Sequence, residues 1–290
     1  HLDVCGPWKL PTLSAPRCSL KKTGIPPLSR YSLDIIDKFS GYSWCFFYPS
    51  KDGFYDVILN HLRALKNQYP QFRVAHIKSD QAPELISNAF IDYCKTEGIQ
   101  TDMSTAYAHE QNGSAERLHR TIYTMARTMM LTCGLPESFW ALAVKAACYV
   151  RNRLISKSPV KKVGSAIPFT VLNNQVPDVG NIIPFGSLVY LSIPAEKQVK
   201  MVSAPRAVKG IMVGYTETSH QWYVYNLQTL TVELARDVTP GEGYPALDLQ
   251  PMLKYFPMAS TDIPSGEKGT QEPPTGFGII NIGTTRNSGR

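Results

Sequence analysis

The sequence contains no apolar run long enough to cross a membrane, no closely spaced cysteine pair and no acidic surplus. A spanning helix needs about 20 apolar residues, so a membrane partner is not expected. The six cysteines are scattered without a C-x-x-C pair, which argues against a zinc site or a disulfide framework and favours reduced thiols. The opening HLDVCGP shows no signal-peptide pattern and favours a fragment of a longer polypeptide.

The chain carries a basic surplus that is concentrated in one region. Its 290 residues have a formal net charge of +7, and 43% of them are hydrophobic, as expected of a folded protein. Residues 112–162 contain nine Lys or Arg against two acids, which accounts for a charge of +7. Such a lopsided segment predicts a nucleic-acid surface, with a solvated helical face as the alternative.

Hydrophobic periodicity predicts a mixed α/β sheet flanked by helices over the first half of the chain. The opening LDVC and two strands around a Lys38–Gly41 turn predict a three-stranded antiparallel start. Helices and strands then alternate, and the apolar spacing predicts two consecutive helices from Ser114 and from Pro136. The second helix is apolar nearly all round until Arg151, which predicts burial or a subunit contact.

The second half of the chain changes character. Its Pro, Gly and Asn content predicts a linker. Five short strands are predicted to follow and to form a small β-barrel: SLVYLSI, QVKMV, AVKGIMVGY, QWYVYN and TLTVELARDV. The predicted organisation is a catalytic core over 1–155, a linker over 156–184, the barrel over 185–240 and a mostly disordered tail over 241–290.

Three acids occupy informative places in this pattern: Asp3 in the first strand, Asp80 after the fourth, and Glu116 one turn into the long helix. If the first and fourth strands are neighbours, the two aspartates project together and the helix brings Glu116 to them. Three converging carboxylates repel one another unless a hard divalent cation such as Mg²⁺ or Mn²⁺ is bound. The alternative is that all three are ordinary surface or helix-start acids.

Other polar residues have simpler interpretations. Asp34 and Asp37 are expected to serve the hairpin and its turn, with a spare metal ligand as the alternative for one of them. Glu84 is expected to cap the next helix, with a catalytic role as the alternative. His119 follows Glu116 by three residues and is interpreted either as a phosphate contact or as a packed imidazole.

Several motifs resemble the integrase of copia-type LTR retrotransposons, within the retroviral integrase and DDE transposase superfamily. The resemblance runs from residue 1 to about residue 240. It rests on HLDVCGP, LDIIDKFSGYSW, HIKSD and, above all, YAHEQNGSAERLHRTIYTMARTMM. It continues through GLPESFWALAVKAACYVRNR and the later IMVGY, WYVYN and ELARDV segments.

The resemblance implies a ribonuclease-H-like fold with a mixed five-stranded sheet, followed by a small SH3-like β-barrel. It also implies that Asp3, Asp80 and Glu116 hold two Mg²⁺ (or Mn²⁺) ions while a 3′-hydroxyl of element DNA attacks a target phosphodiester. The implied DNA contacts are Lys78, Tyr107, Asn112, Arg117, His119, Arg120 and Arg127. Implied partners are element and target DNA, further copies of the chain, and the rest of the Pol polyprotein, with a zinc-binding domain upstream and reverse transcriptase downstream. The implied location is the nucleus, after a cytoplasmic stage in virus-like particles.

Two alternatives stay open. A ribonuclease-H-like nuclease uses the same triad with water as the nucleophile, and a decayed or coopted copy binds DNA without catalysis. The departure from the family pattern after Asp80, where Gln81-Ala82-Pro83-Glu84-Leu85 replaces Asn-Gly-Gly-Glu-Phe, fits the second of these.

Overall fold

A mixed five-stranded sheet forms the first half of the molecule. The computed structural model describes residues 2–9, 11–12, 23–79, 88–103, 113–157, 164–193, 205–217 and 221–244. The strands are β1 (Leu2–Cys5), β2 (Tyr31–Ile36), β3 (Ser43–Tyr48), β4 (His76–Ser79) and β5 (Gln100–Met103). Their order is β3-β2-β1-β4-β5, with β1, β2 and β3 antiparallel and β4 and β5 parallel to β1. The predicted antiparallel start is confirmed. The first and fourth strands are neighbours, which was the condition for Asp3 and Asp80 to project together.

Helices cover both faces of this sheet. They are α1 (Phe54–Gln68), α2 (Asn88–Thr96), α3 (Gly113–Cys133) and α4 (Trp140–Arg153). A single 3₁₀ turn over Glu137–Phe139 leads into α4, so this helix begins four residues after the predicted Pro136. The predicted helix start between 84 and 87 lies outside the described residues. A mixed five-stranded sheet with flanking helices is the ribonuclease-H-like arrangement predicted from the resemblance.

Strand alternation divides the sheet into two different faces, because successive side chains point to opposite sides. Leu2, Leu33 and Ile35 point towards α1 and α2 and share an apolar cluster with Phe54 and Ile58. The residues between them point towards α3 and α4. That second face is partly polar and contains Asp3, Cys5, Ser32, Asp34, Ser43 and Cys45.

The hairpin between β2 and β3 is closed by Asp37. Its carboxylate accepts hydrogen bonds from the backbone N–H of Ser40 (2.9 Å) and from the Ser40 hydroxyl (2.6 Å), and Gly41 donates to its carbonyl. Gly41 has a positive φ of 74°, which glycine adopts without steric cost. The turn role predicted for Asp37 is confirmed.

A second, antiparallel sheet follows in the chain. Its strands are β8 (Leu188–Ser192), β9 (Ala207–Tyr215), β10 (Trp222–Asn226), β11 (Thr231–Ala235) and β12 (Val238–Pro240), in the order β11-β10-β9-β8-β12. Among the described residues no pairing joins β11 to β12, so the sheet is antiparallel as predicted but its closure into a barrel is not seen. The segment TLTVELARDV forms two strands rather than one. The predicted strand QVKMV lies outside the described residues.

The segment predicted as a linker contains regular structure. It includes the short strands β6 (Ser156–Lys157) and β7 (Ser165–Ala166), which pair with each other, and helix α5 (Pro168–Asn173). Proline at the first position of α5 is compatible with a helix start, and composition alone did not reveal this. Residues 245–290, most of the predicted tail, lie outside the described part.

One apolar core connects the two sheets. It runs from Ile36 and Phe47 through α3 and α4 to Ile211, Met212 and Val224, and His1–Ala259 form one compact unit. The burial predicted for α4 is confirmed. All five described cysteines are free, and no described helix is long and apolar enough to span a bilayer.

Candidate functional site

The candidate site lies where β1 and β4 run side by side. Leu2 pairs with Ser79 in parallel register. Asp3 is the next residue after Leu2, and Asp80 is the next residue after Ser79. Asp80 itself lies outside the described residues. By strand alternation Lys78 lies on the same face of the sheet as Asp3, and its side chain is half-buried.

Asp3 and Asp34 are direct cross-strand neighbours in the antiparallel register of β1 and β2. Side chains opposite each other in such a pair lie on the same face, with Cβ atoms about 5 Å apart. Asp34 is only 4% exposed, whereas Asp3 is partly exposed at the sheet surface. Sequence reasoning assigned Asp34 to the hairpin, and this was incomplete, because the residue lies beside the first candidate catalytic acid. The alternation in YSLDII, with Ser32 and Asp34 on one face, was the available signal.

Helix α3 places His119 over this pair of acids. His119 Nε2 lies 3.6 Å from Asp34 Oδ2, within ion-pair range but longer than a hydrogen bond. The imidazole stacks on the Tyr123 ring at 4.1 Å between centroids, and Tyr123 in turn stacks on Trp8 at 5.3 Å. The Tyr123 hydroxyl bonds to the Ser32 hydroxyl, which fixes this turn of α3 on the sheet.

Burial and mutual repulsion perturb the acid–base properties of this face. Burial, with a further contribution from the charge of Asp3, raises the pKa of Asp34 to about 7. Burial, followed by the charges of Asp34 and Asp3, raises the pKa of Cys5 to about 11. Burial lowers the pKa of His119 and outweighs the opposite influence of Asp3. Perturbed groups of this kind concentrate at functional sites.

Glu116 is exposed in the first turn of α3, one turn before His119. With 3.6 residues per turn, it lies between the sheet-facing residues His119 and Tyr123 and an exposed stripe formed by Arg120 and Arg127. Arg117 is also exposed. The helix thus presents a carboxylate beside the aspartate face and three guanidinium groups to solvent.

Of the ten predicted site residues, the structure describes seven. Asp3 and His119 lie on the α3 face of the first sheet together with Lys78, and Glu116, Arg117, Arg120 and Arg127 lie on α3. Asp80, Tyr107 and Asn112 lie outside the described residues. No described contact tests the roles predicted for them.

The basic segment 112–162 is not one continuous surface. Lys145 donates to the Thr23 carbonyl and Arg151 to the Gly41 carbonyl. Arg153 is 5% exposed, and its guanidinium lies 3.3 Å from the Tyr149 ring centroid. These three cations on α4 therefore stabilise the fold. Within the described part of this segment, the exposed cations are Arg117, Arg120 and Arg127 of α3.

The residues fit a divalent cation in kind. Carboxylate oxygens are the ligands that Mg²⁺ and Mn²⁺ prefer, and both oxygens of the buried Asp34 lack a hydrogen-bond partner of ordinary geometry. Within the described ranges no three His, Cys, Asp or Glu side chains are close enough to hold an ion. One of the three candidate acids, Asp80, is outside those ranges.

Two family models match separate parts of the chain. An Integrase core domain matches residues 18–109, and a Retroviral polymerase SH3-like domain matches residues 187–246. The second match covers the whole antiparallel sheet. The first covers β2 to β5 and ends before α3, so it includes neither Asp3 nor Glu116.

Similar proteins are retrotransposon polyproteins. The chain is 26% identical over 282 residues to the retrovirus-related Pol polyprotein from transposon TNT 1-94 of Nicotiana tabacum, covering 94% of this chain and 20% of the relative. It is 27% identical over 214 residues to that from transposon RE1 of Arabidopsis thaliana, covering 74% and 14%. The chain thus spans about a fifth or less of these relatives.

Among solved structures, the catalytic core domain of HTLV-2 integrase in complex with magnesium is similar at a TM-score of 0.36 and 20% identity, covering 49% of this chain and 83% of that one. The chain thus matches an Integrase core domain and, after it, a Retroviral polymerase SH3-like domain, and the proteins it is similar to are retrovirus-related Pol polyproteins from transposons.

Proposed function

We propose that the chain is an integrase that joins 3′-hydroxyl ends of element cDNA to target DNA in a metal-dependent strand transfer. The observation that carries the proposal is the register of β1. It places Asp3 beside the end of β4, after which Asp80 follows in sequence. Support for Glu116 comes from α3, where it lies one turn before His119, the residue that faces Asp34. The integrase core match supports the same reaction class.

In this proposal Asp3, Asp80 and Glu116 bind the metal ions through their carboxylate oxygens. A pair of bound Mg²⁺ or Mn²⁺ ions supplies nucleophile activation and stabilises the leaving oxygen during phosphodiester displacement. The resemblance implies that the related integrases need these three acids for catalysis. The HTLV-2 integrase core named above is in complex with magnesium. Asp3 is rigidly held because its strand is paired on both sides.

The exposed cations of α3 bind the substrate backbone. The helix that carries Glu116 also exposes Arg117, Arg120 and Arg127 to solvent. Guanidinium groups bind phosphates in a planar, bidentate geometry. Lys78, on the same sheet face as Asp3, is a further phosphate ligand in this proposal. Contacts of this kind position DNA without reading its sequence.

The decisive experiment is a strand-transfer assay with Glu116→Gln. Purified protein is incubated with a labelled element-end duplex and a plasmid in Mg²⁺ or Mn²⁺, and joined products are counted. We expect Glu116→Gln to reduce joining by at least about 100-fold while leaving the thermal midpoint unchanged, because a metal loses an anionic ligand. Glu137→Gln, at another exposed acid in the same helical hairpin, is the matched control and should retain full activity.

The outcomes separate the alternatives. Full joining by Glu116→Gln refutes the triad. Metal-dependent cleavage without joining favours a ribonuclease-H-like nuclease. DNA binding without any product favours a decayed or coopted copy, and a chain extended at both ends is then tested, since the relatives are much longer.

Assembly and partners are part of the proposal. The relatives are Pol polyproteins, so we propose that the chain acts as a homo-oligomer released from such a polyprotein, with a zinc-binding domain before it and reverse transcriptase after it. DNA integration then takes place in the nucleus, following a cytoplasmic particle stage.

A further inference from the structure

The buried acid Asp34 is the feature of the site that the triad leaves unexplained. It lies opposite Asp3 in the sheet, it is 4% exposed, and neither oxygen accepts a hydrogen bond of ordinary geometry from a described group. The Cys45 thiol and the Tyr123 hydroxyl lie near enough to favour its charged form, yet burial dominates. Burying a carboxyl group with few hydrogen-bond partners costs folding free energy. A role in the function of the site would account for keeping it there.

His119 is the only cationic or imidazole side chain recorded within ion-pair distance of Asp34 in the described part of the chain. The ring is held on one face by Tyr123, at 4.1 Å and with 27° between the planes. Its Nε2 is buried and faces Asp34, whereas 23% of the side chain remains exposed. Two independent contacts therefore fix the ring, and its remaining surface is open to solvent.

The stack beneath His119 is anchored deep in the protein. Trp8 lies parallel to Tyr123, with 8° between the rings, and contacts Trp140 of the central core at 5.0 Å. Because each ring rests on the next, the imidazole has little freedom to tilt. The Nε2 edge of the ring faces the Asp34 carboxyl group, with 3.6 Å between His119 Nε2 and Asp34 Oδ2.

We propose that Asp34 is a positioning residue, which orients the His119 imidazole at the edge of the carboxylate site so that the exposed part of the ring contacts a phosphate of bound DNA. His119 is one helical turn from Glu116 and within electrostatic range of Asp3, so the ring lies beside two of the candidate carboxylates. The proposal rests on the proposed function for its substrate. The pairing of Asp34 with His119 can be tested without catalysis.

The first measurement is the imidazole nitrogen spectrum of isotope-labelled histidine in the full chain, with the His119 signals identified from their loss in His119→Gln. We expect Asp34→Asn to shift the His119 signals, and Asp92→Asn, at an exposed acid on α2, to leave them unchanged. Addition of a short blunt DNA duplex should move the His119 signals in the native chain and move them much less in Asp34→Asn. Unchanged His119 signals in Asp34→Asn overturn the proposal.

Thermal unfolding and joining then separate positioning from a purely structural role. Asp34→Asn removes a buried, poorly satisfied carboxyl group, so the thermal midpoint should stay the same or rise by a few degrees. Joining should fall about 10- to 100-fold, as for other groups that orient an active-site residue, mostly in the maximal rate rather than in DNA affinity. A midpoint that falls together with activity overturns the proposal. If the native chain joins no DNA, the proposed function fails, and the nitrogen spectra still decide the pairing.

Discussion

His61 shows how strongly burial alone changes a side chain in this protein. It lies on α1 against the edges of Trp44 and Phe46, at 4.7 and 5.1 Å between ring centroids. Its Nε2 has no hydrogen-bond partner among the described groups. Burial lowers the pKa of His61 from 6.5 to about 4, so the folded chain holds this imidazole neutral.

We predict that His61 destabilises the protein in mild acid. Its folded pKa lies below its unfolded value, so the unfolded state binds the proton more tightly. The contribution of the neutral imidazole to the stability of the folded chain is fully present above about pH 6.5 and is lost as the pH falls towards 4. His61→Phe keeps an aromatic ring in place. It should reduce the change in unfolding free energy between about pH 6.5 and 4 by roughly 2–3 kcal/mol, as measured by urea unfolding.

The comparison is made against a histidine on the surface. His76→Gln, at an exposed position on β4, should leave the pH dependence as in the native chain. Asp34 affects the pH dependence of stability in the opposite direction, because its raised pKa makes stability fall as the pH rises from about 4 to about 7. The difference between the native and His61→Phe curves of unfolding free energy against pH gives the contribution of His61. Parallel curves would contradict the prediction.

Helix α4 joins the two sheets. Asn152 bonds to the backbone and hydroxyl of Ser43 on β3. On another side Tyr149 stacks on Tyr215 of β9 at 4.4 Å. A helix that is apolar nearly all round is buried on both sides for this reason.

Arg153 at the end of α4 should contribute strongly to stability. Its guanidinium packs between the rings of Tyr149 and Phe169, at 3.3 and 4.7 Å, and donates to Glu217 at 3.4 Å. We expect Arg153→Ala to lower the unfolding free energy by about 2–4 kcal/mol, through lost stem packing and cation–π contacts. Urea unfolding is the measurement.

The matched control is Arg236→Ala, at an exposed arginine just after β11, with an expected change within about 0.5 kcal/mol. Equal effects of the two substitutions would show that the buried arginine does not stabilise the contact between α4 and the second sheet.

Across the described part of the molecule, the basic segment divides into two groups of cations. Those of α4 are engaged in the fold, whereas the guanidinium groups of Arg117, Arg120 and Arg127 on α3 are exposed, and the proposed DNA contact uses these. The opposite face of the first sheet is covered by α1 and α2, which carry mixed charges with an ion pair between Lys66 and Glu97 at 2.9 Å.

We predict salt-sensitive DNA binding that depends on α3. Each phosphate contact contributes about 0.9 to the slope of log affinity against log salt. The double variant Arg120→Ala and Arg127→Ala should therefore reduce the slope by about two, equally for unrelated duplexes. Fluorescence anisotropy over a salt series measures this.

Arg63→Ala together with Lys95→Ala removes the same charge from exposed positions on α1 and α2, and should change the slope little. If both pairs reduce it equally, binding reflects net charge rather than the α3 surface.

The sequence by itself determined the order and type of most elements, because apolar spacing reports which face of each strand or helix is buried. It also identified the integrase resemblance through local motifs, and it located the turn at Asp37, whose hydrogen bonds are local. The linker prediction did not reveal α5, since proline and asparagine mark helix ends as well as loops.

Only the tertiary structure decided what meets across the chain. The pairing of Asp3 with Asp34, the position of His119 over both, and the use of Arg151 and Arg153 as internal donors depend on register and helix docking. These contacts join residues far apart in sequence, such as Asp34 and His119. Charge and spacing along the chain do not specify them, because the free energy that selects them comes from packing two apolar cores on opposite faces of one sheet.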